Sequence, residues 1–327
     1  MNRARFRLAF AILAGLAAVI WVSDLVVQVR NFLTFWMDDA QTYAVGGAHL
    51  LAGEPIYAPF QLTGPYGLGD AAWGRGFAYP PTAALIFAPL SPLGQTGLGI
   101  VFVAALAVLG GLAYKTGIRS GLAPVVATVV ALVVVLSGPA INATSSGNVN
   151  LLIADALLAS WLWPRSSGYL AVIGGLVKFF PAAGLVWTIR KRGSLPGPVV
   201  FGLVAVLLAT EIAGASSWRD FLIAFGNGRS SSFFPLPSPA QILGPGIGTA
   251  VGYSLAALTL VGVWRIRDER VAFALLGWAM ILPAPDWWSH YLLLPLAAVL
   301  PLATVRLAEV TAPHTARGDP EAAARLV

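Results

Sequence analysis

The stretch "FWMDDAQTYAVGGAHLLAGEPIY" at residues 35–57 places two adjacent carboxylates, Asp38 and Asp39, at the start of a helical pattern. The spacing of Asp38 and Gln41 is that of a capping box, in which the Asp accepts a backbone amide hydrogen and the Gln reaches back. Such a cap would leave Asp39 available as a general base, a group that takes a proton from an attacking hydroxyl. In the alternative interpretation, both carboxylates only interact favourably with the helix macrodipole.

Helical spacing also predicts the surroundings of Asp39. Asp39, Tyr43 and Leu50 fall on one stripe of the helix, which is expected to lie against the membrane or other parts of the protein. Gly53, followed by Pro55, predicts the end of the helix.

Composition identifies the solvent of the chain. The mean hydropathy is +0.78, and only 10% of the residues are charged, far below the globular norm, so we expect a polytopic membrane protein. The absence of cysteine excludes disulfides and thiolate chemistry. Three scattered histidines argue against a histidine metal site, and we expect no metal and no cofactor. Lys and Arg lie in short runs between apolar segments, a pattern that sets membrane orientation and does not indicate nucleic-acid binding.

Apolar segments, measured against a span of about 20 residues, divide the chain. The first, 8–29, is interpreted as an uncleaved signal anchor with a cytoplasmic N-terminus. The other predicted segments are 82–114, 121–138, 149–163, 168–189, 196–213, 248–264, 270–283 and 287–305. We expect one integral membrane domain at 1–310 and a disordered cytoplasmic tail at 311–327.

The segment 168–189 is unusual because basic residues, Arg165 and the run 190–192, flank both of its ends. If both ends lie on the cytoplasmic side, the segment is a broken hairpin with its bend at Lys178 to Pro181. A lysine at membrane depth requires a partner, a substrate or a watery cavity. Alternatively, Lys178 only snorkels to the interface or pairs with Asp155.

The two long loops, 31–80 and 214–247, lie on the outer side in this topology, and long loops on a rigid scaffold commonly carry function. We therefore predict that the functional site faces the extracytoplasmic side of the membrane. The polar run "GPAINATSSGN" is interpreted as a further outer connection, and its match to a glycosylation acceptor at Asn142 as a chance match.

Five blocks resemble, in order, glycosyltransferase family 87, which comprises bacterial membrane mannosyltransferases of the GT-C fold. They are "DDAQTYAVGGAHLLAGEPIY", "FAYPPTAALIFAPLSPLG", "SGNVNLLIADALLASWL", "GGLVKFFPAAGLVWTIRKR" and "DWWSHYLLLPLAAVL". The resemblance extends over residues 36–300. One departure is Gly147-Asn148, where the family pattern has Gly-Gln.

The resemblance implies an all-α polytopic membrane protein: a GT-C-like bundle of about 8–10 transmembrane helices whose extracytoplasmic first loop carries short juxtamembrane helices. It implies an enzyme of the bacterial cytoplasmic membrane that transfers mannose, with inversion, from a polyprenyl-phosphate donor. The acceptor would be a hydroxyl of a glycolipid or cell-envelope glycan on the extracytoplasmic face. The implied partners are this donor, this acceptor and membrane lipid, with no nucleic acid.

The family pattern also implies roles for particular residues. Asp39 would be the general base, and His290 a second catalytic residue. Lys178, Arg75 and His290 would bind the donor phosphate. The expected substrate-binding residues are Tyr43, Tyr79, Asn148, Asn150 and Ser232.

Other interpretations stay open at this point. His290, which follows two tryptophans, resembles an interfacial belt residue, and Arg75 could simply stabilise its loop. The alternative function is a transporter or flippase, which predicts a repeat between the two halves of the chain. No clear repeat is present in the sequence.

Overall fold

The computed structural model describes residues 19, 21–30, 36–63, 76–227, 236 and 238–311. Regular structure in these ranges is helical, apart from an isolated bridge between Leu236 and Trp287. The first half contains α1 (21–30), α2 (Asp38–Ala52), α3 (Pro59–Leu62), α4 (Pro81–Phe87), α5 (Gly94–Arg119), α6 (Pro124–Val135), α7 (Gly138–Ser146) and α8 (Asn150–Leu162). The second half contains α9 (Ser167–Val177), α10 (Gly184–Arg190), α11 (Pro196–Ala213), α12 (Ser216–Asn227), α13 (Pro239–Leu243), α14 (Pro245–Arg265), α15 (Glu269–Ile281) and α16 (Leu293–Thr311).

Four helical segments of the described chain are long and apolar enough to cross a bilayer: Pro81–Arg119, Pro196–Ala213, Gly246–Arg265 and Ser289–Glu309. Large apolar side chains on α11 and α14 are exposed, as on helices that face lipid. The structure thus confirms an all-α polytopic membrane protein. The total of eight to ten crossings stays a prediction, because helices such as α8 and α15 have 13 residues each, fewer than the roughly 20 that cross a bilayer alone.

The segment after α6 differs from the prediction. The run "GPAINATSSGN", interpreted from sequence as an outer loop, forms α7, which follows α6 at a bend of 53°. Ser137 caps the new helix by accepting a hydrogen bond from the Ala140 amide, and Pro139 fits its first turn. Most of the small and polar side chains of α7 are buried. The loop interpretation was therefore wrong because tertiary burial overrides the polar character of the run.

The segment 168–189 forms the expected hairpin. α9 ends at Lys178, whose backbone is extended (φ −144°, ψ 126°), and a 3-10 turn at Phe180–Ala183 leads into α10. α10 packs back along α9, since Ser167 Oγ at one end of the hairpin lies 3.0 Å from Thr188 Oγ1 near the other. Thr82 of α4 donates a hydrogen bond to the Leu176 carbonyl, one of those left unpaired where α9 breaks. Both termini of the hairpin therefore lie at the same end of the bundle, with Lys178 at the opposite end.

The predicted first loop carries α2 and α3 in its described part. The Asp38 cap was wrong: Asp38 is the first helical residue, and the N-cap is Met37, which has a left-handed backbone (φ 57°) and makes no side-chain cap hydrogen bond. The C-terminus is as predicted, with Gly53 at φ 68° donating its amide hydrogen to the His49 and Leu50 carbonyls. Gly47 allows α2 to pack closely on the chain after α4, since a Cβ there would lie 2.8 Å from the Ala88 backbone.

Candidate active site

A tight contact between the start of α2 and the end of α7 positions Asp39. The Met37 amide donates to the Ser145 carbonyl at 2.6 Å. Gly147 then turns the chain with φ 67°, and a Cβ on it would lie 2.5 Å from the Ala40 Cβ. Only glycine satisfies both the backbone angle and this approach without strain. The turn brings Asn148 next to the first turn of α2.

Asp39 and Lys178 are connected through two buried asparagines, Asn148 and Asn150. Asn148 Nδ2 donates to Asp39 Oδ2 at 2.8 Å, and Asn148 Oδ1 accepts from the backbone amide of Asn150 at 2.9 Å. Lys178 Nζ donates to Asn150 Oδ1 at 3.1 Å. Asn148 and Asn150 are 2% and 0% exposed, so this line of hydrogen bonds lies inside the protein, while Asp39 is half-buried. Asn148 occupies the position at which the family pattern has Gln and is well placed to bond Asp39.

The Asp39 carboxylate retains hydrogen-bonding capacity. Within the described residues, Asn148 supplies its hydrogen bond, to one of the two oxygens. An ionised carboxylate has about four acceptor positions. The carboxylate can therefore accept a further hydrogen bond from a substrate hydroxyl.

Two tyrosines line the same region as neutral hydrogen-bonding groups. The Tyr43 and Tyr79 hydroxyls lie 2.9 Å apart, and the Val149 amide donates to the Tyr43 hydroxyl at 3.4 Å. Burial raises the pKa of the Tyr43 phenol well above its usual value, and the charges of Tyr79 and Asp39 raise it further. Burial, followed by the charge of Asp39, likewise raises the pKa of Tyr79. Both phenols therefore stay protonated and able to donate.

Lys178 points its ammonium group among aromatic rings. Its Nζ lies 4.2 Å from the ring centroid of Tyr291 and 5.8 Å from that of Tyr79, both within the range of a cation–π interaction. These contacts hold the ammonium group inside the protein and argue against the snorkelling interpretation. The suggested ion pair with Asp155 is not formed, and Asp155 Oδ1 has no hydrogen-bond partner among the described residues.

His290 lies at the start of the segment leading into α16 and is 8% exposed. Its ring centroid is 5.2 Å from that of Tyr291, the ring that Lys178 contacts. Its Nδ1 lies 2.9 Å from Asn142 Oδ1 on α7. His290 is thus a buried, hydrogen-bonded residue and not an interfacial belt residue.

The structure brings together seven of the predicted site residues: Asp39, Tyr43, Tyr79, Asn148, Asn150, Lys178 and His290. Arg75 and Ser232 lie outside the described residues. Sequence reasoning missed Asn142 and Tyr291. Asn142 was set aside as a chance motif, although the polar run around it, between apolar segments, was a usable signal. The described residues contain no group of three or more His, Cys, Asp or Glu side chains that could hold a metal ion.

The fold and this buried site define a multi-pass membrane protein with a polar cluster near one end of its bundle. A family model, described as Glycosyltransferase family 87, matches residues 77–285, more than half of the chain. The chain belongs to glycosyltransferase family 87 and is a membrane glycosyltransferase. No curated protein and no solved structure matches the chain.

The matched range excludes Asp39 and His290, the two predicted catalytic residues. Hydrogen bonds connect both to residues inside the range, Asp39 to Asn148 and His290 to Asn142. The three-dimensional arrangement therefore extends the candidate site beyond the segment that identifies the family.

Proposed function

We propose that the protein transfers mannose from a polyprenyl-phosphate donor to a hydroxyl of a lipid-linked or cell-envelope glycan, with inversion at the sugar carbon. The observation that carries the proposal is the hydrogen-bonded line from Asp39 through Asn148 and Asn150 to Lys178. This line supports the proposal because it connects a carboxylate that could accept a proton with an ammonium group that could bind a phosphate. The identity of the sugar rests on the resemblance of the five sequence blocks.

In the proposed reaction, the acceptor oxygen attacks the anomeric carbon while the bond from that carbon to the phosphate oxygen breaks. The acceptor proton passes to Asp39, and the electron pair of the broken bond leaves with the polyprenyl phosphate. The dianionic leaving group needs stabilisation, which a nearby cation supplies most strongly in a partly dry site.

Lys178 is suited to this role. An ammonium group has three N–H donors, of which one binds Asn150. The extended backbone at Lys178 and the hairpin around it hold the group at the turn of a membrane-inserted segment. A donor with its tail in the bilayer would present its phosphate close to such a position. Arg75 and His290 are proposed to assist in holding the phosphate.

The proposal places the site on the extracytoplasmic side, with the basic ends of the hairpin in the cytoplasm. Reporter fusions after Gly193 and after Ser167 are both expected to report the cytoplasm, because the two ends of the hairpin lie together. A fusion within residues 60–75 is expected to report the outside. Opposite locations for the 167 and 193 fusions would contradict the hairpin in the membrane.

The donor is tested by incubating membranes that contain the protein with labelled sugars on a panel of polyprenyl phosphates. We expect transfer from polyprenyl-phosphate mannose, and transfer about 10²- to 10⁴-fold slower in membranes with the Asp39→Asn variant. Transfer from a nucleotide sugar alone, with polyprenyl-phosphate synthesis blocked, would overturn the donor assignment. Transfer from a different polyprenyl-phosphate sugar would overturn mannose and retain the donor class.

A further inference from the structure

A second line of hydrogen bonds runs from His290 away from the site to α1. His290 Nδ1 lies 2.9 Å from Asn142 Oδ1, and Asn142 Nδ2 donates to Gln28 Oε1 at 2.9 Å. Gln28 Nε2 in turn donates to Asp24 Oδ1 at 3.2 Å. The line connects the 3-10 turn before α16 to α7 and α1 through two side-chain amides and ends at a carboxylate. Neither the general base nor the phosphate-binding residues of the proposed reaction include Asp24, Gln28 or Asn142.

The carboxylate gives this line a fixed direction. An ionised Asp24 can only accept, so Gln28 must present its NH₂ group to Asp24 and its carbonyl to Asn142. The carbonyl accepts the Asn142 NH₂ group, which leaves the Asn142 carbonyl to face His290. A carbonyl only accepts, so His290 Nδ1 must carry a hydrogen. A change in proton state at Asp24 would remove this requirement at every step.

The Asp24 carboxylate lies at the N-terminus of α7. It lies against Gly138, the first residue of α7, where a Cβ would overlap it. The N-terminus of a helix presents unpaired N–H groups and a partial positive charge, both of which stabilise an anion. Gly138 lacks the side chain that would displace the carboxylate.

We propose that Asp24 is a positioning residue that acts through Gln28 and Asn142 to hold His290 with its hydrogen on Nδ1, so that Nε2 is the nitrogen that serves the substrate. The neutral ring then accepts a hydrogen bond or a proton at Nε2, and the charged ring donates Nε2–H to an anion such as a phosphate. Within the described residues, the hydrogen bond of His290 is made by Nδ1, which leaves Nε2 for this role. The statement about the tautomer stands on the hydrogen bonds alone, whereas its catalytic value rests on the proposed function.

The tautomer can be observed directly with protein labelled with ¹⁵N at histidine and reconstituted in lipid. The sequence has three histidines, and the His290 signals are assigned by their loss in the His290→Gln variant. We expect the wild-type protein to show a protonated Nδ1 and an unprotonated Nε2. A neutral His290 with its hydrogen on Nε2 would overturn the proposal.

The role of Asp24 is tested with Asp24→Asn, which keeps the shape and removes the accept-only character. Asn can present either its oxygen or its NH₂ group to Gln28, so both directions of the line become available. We expect a mixture of His290 tautomers and a fall in kcat of about tenfold or more, by analogy with the loss of hydrogen-bond partners that orient metal-ligating histidines, with the donor KM unchanged. Retention of the wild-type tautomer and kcat would contradict the proposal. Asp268→Asn, a cap at the start of α15, serves as the control that should change neither readout.

A double variant tests whether the direction of the hydrogen bonds, and not only the fold around them, sets the His290 tautomer. In the double variant Asp24→Asn, Gln28→Glu, the accept-only group moves one step along the line, and the new carboxylate at position 28 can accept from the side-chain amides at both position 24 and position 142. We expect this variant to recover the Nδ1–H tautomer and most of the kcat, even if Asp24→Asn alone folds poorly. If either the Nδ1–H tautomer or the kcat is not recovered in the double variant, the proposal is overturned. If the tautomers behave as expected but no polyprenyl-phosphate sugar is used by any variant, the proposed function fails and the assignment of Asp24 stands.

Discussion

The two ends of the helix bundle use polar residues in different ways. The site end contains Asp39, Asn148, Asn150, Lys178 and His290, and α8 runs from there to the opposite, basic end, which contains Arg119, Arg190, Lys191 and Glu269. At the site end, Asn148, Asn150 and His290 are buried and bond other side chains. At the basic end, the Lys191–Glu269 ion pair has one side chain 22% exposed and the other 49% exposed.

The partners at the basic end are mainly helix C-termini. Arg119 donates to the Leu162 carbonyl at the end of α8 at 2.6 Å, and Arg190 donates to the Val263 carbonyl near the end of α14. The last carbonyls of a helix are unpaired and carry partial negative charge, so cations stabilise them. These contacts fasten helix ends and allow the side chains to remain near water.

The comparison shows how function constrains burial. A buried amide that loses its partner is left unsatisfied, which costs about 1–3 kcal/mol, whereas an exposed ion pair contributes about 0–1 kcal/mol. The site end is therefore more sensitive to the loss of a hydrogen-bond partner, because its buried amides must orient other groups. We therefore expect substitutions at the site end to have larger effects than matched substitutions at the basic end.

The largest expected difference is between Asp39→Asn and Asp268→Asn. Asn at position 39 can still accept the hydrogen bond from Asn148, so folding should be preserved while the proton acceptor is lost. We expect transfer to fall about 10²- to 10⁴-fold, the usual contribution of a general base. Asn at position 268 caps α15 nearly as well as Asp, so that variant should keep near wild-type activity. Steady-state transfer rates of both variants in reconstituted membranes measure this difference. A loss of less than twofold in Asp39→Asn would contradict the assignment of Asp39 as the general base.

The second comparison is Lys178→Met against Lys191→Met, which removes one ammonium group from each end. Loss of a hydrogen bond to a charged phosphate costs about 1.5–3 kcal/mol, or roughly tenfold to more than a hundredfold in donor use. We expect Lys178→Met to lose donor affinity and transfer together and Lys178→Arg to keep part of both. Lys191→Met should leave both parameters close to wild type. Donor titrations with each variant measure the difference, and normal donor use by Lys178→Met would move the phosphate site to Arg75 or His290.

Several features of the fold could be predicted from the sequence because they depend on local rules. The membrane class follows from composition, the end of α2 at Gly53 from glycine chemistry, and the hairpin from basic residues on both sides of one apolar segment. Lys178 was identified as a candidate site residue because a charged side chain at membrane depth is costly unless it has a partner or a function. None of these rules requires knowing which distant residues come into contact in the fold.

Features that depend on distant partners could not be predicted. His290 and Asn142 are 148 positions apart, and Asp39 and Asn148 are 109 apart, so no local pattern links them. α7 was assigned to a loop because its residues are small and polar, and they form a helix because other elements cover them. The Asp38 cap failed for the same reason, since the backbone of Met37 is held by Ser145.

The third comparison separates the packing of the site end from backbone strain. Gly147 and Gly53 have nearly equal φ angles, 67° and 68°, but a Cβ on Gly147 would press on Ala40, whereas a Cβ on Gly53 would meet nothing within 4 Å. We expect Gly53→Ala to cost about 1–2 kcal/mol from the left-handed backbone alone and to keep activity. Gly147→Ala should cost a further 1–3 kcal/mol or so from overpacking and should lower activity by shifting Asn148 from Asp39. Thermal unfolding in detergent and transfer assays test both variants, and equal losses would show that the close approach is unimportant.

The smallest expected effect lies at the basic end, in the ion pair between Lys191 Nζ and Glu269 Oε2 at 2.7 Å. A double-mutant cycle with Lys191→Met and Glu269→Gln should give a coupling free energy of about 0.2–1 kcal/mol. Because Glu269 is about half exposed, salt should screen the pair and reduce the coupling further between low and high ionic strength. The cycle is measured from unfolding free energies of the four proteins in detergent. Exposed pairs rarely contribute more than about 1 kcal/mol. A coupling well above about 2 kcal/mol that does not change with salt would therefore show that this pair behaves as a buried one. The contrast between the two ends of the bundle would then rest on their chemistry alone and not on burial.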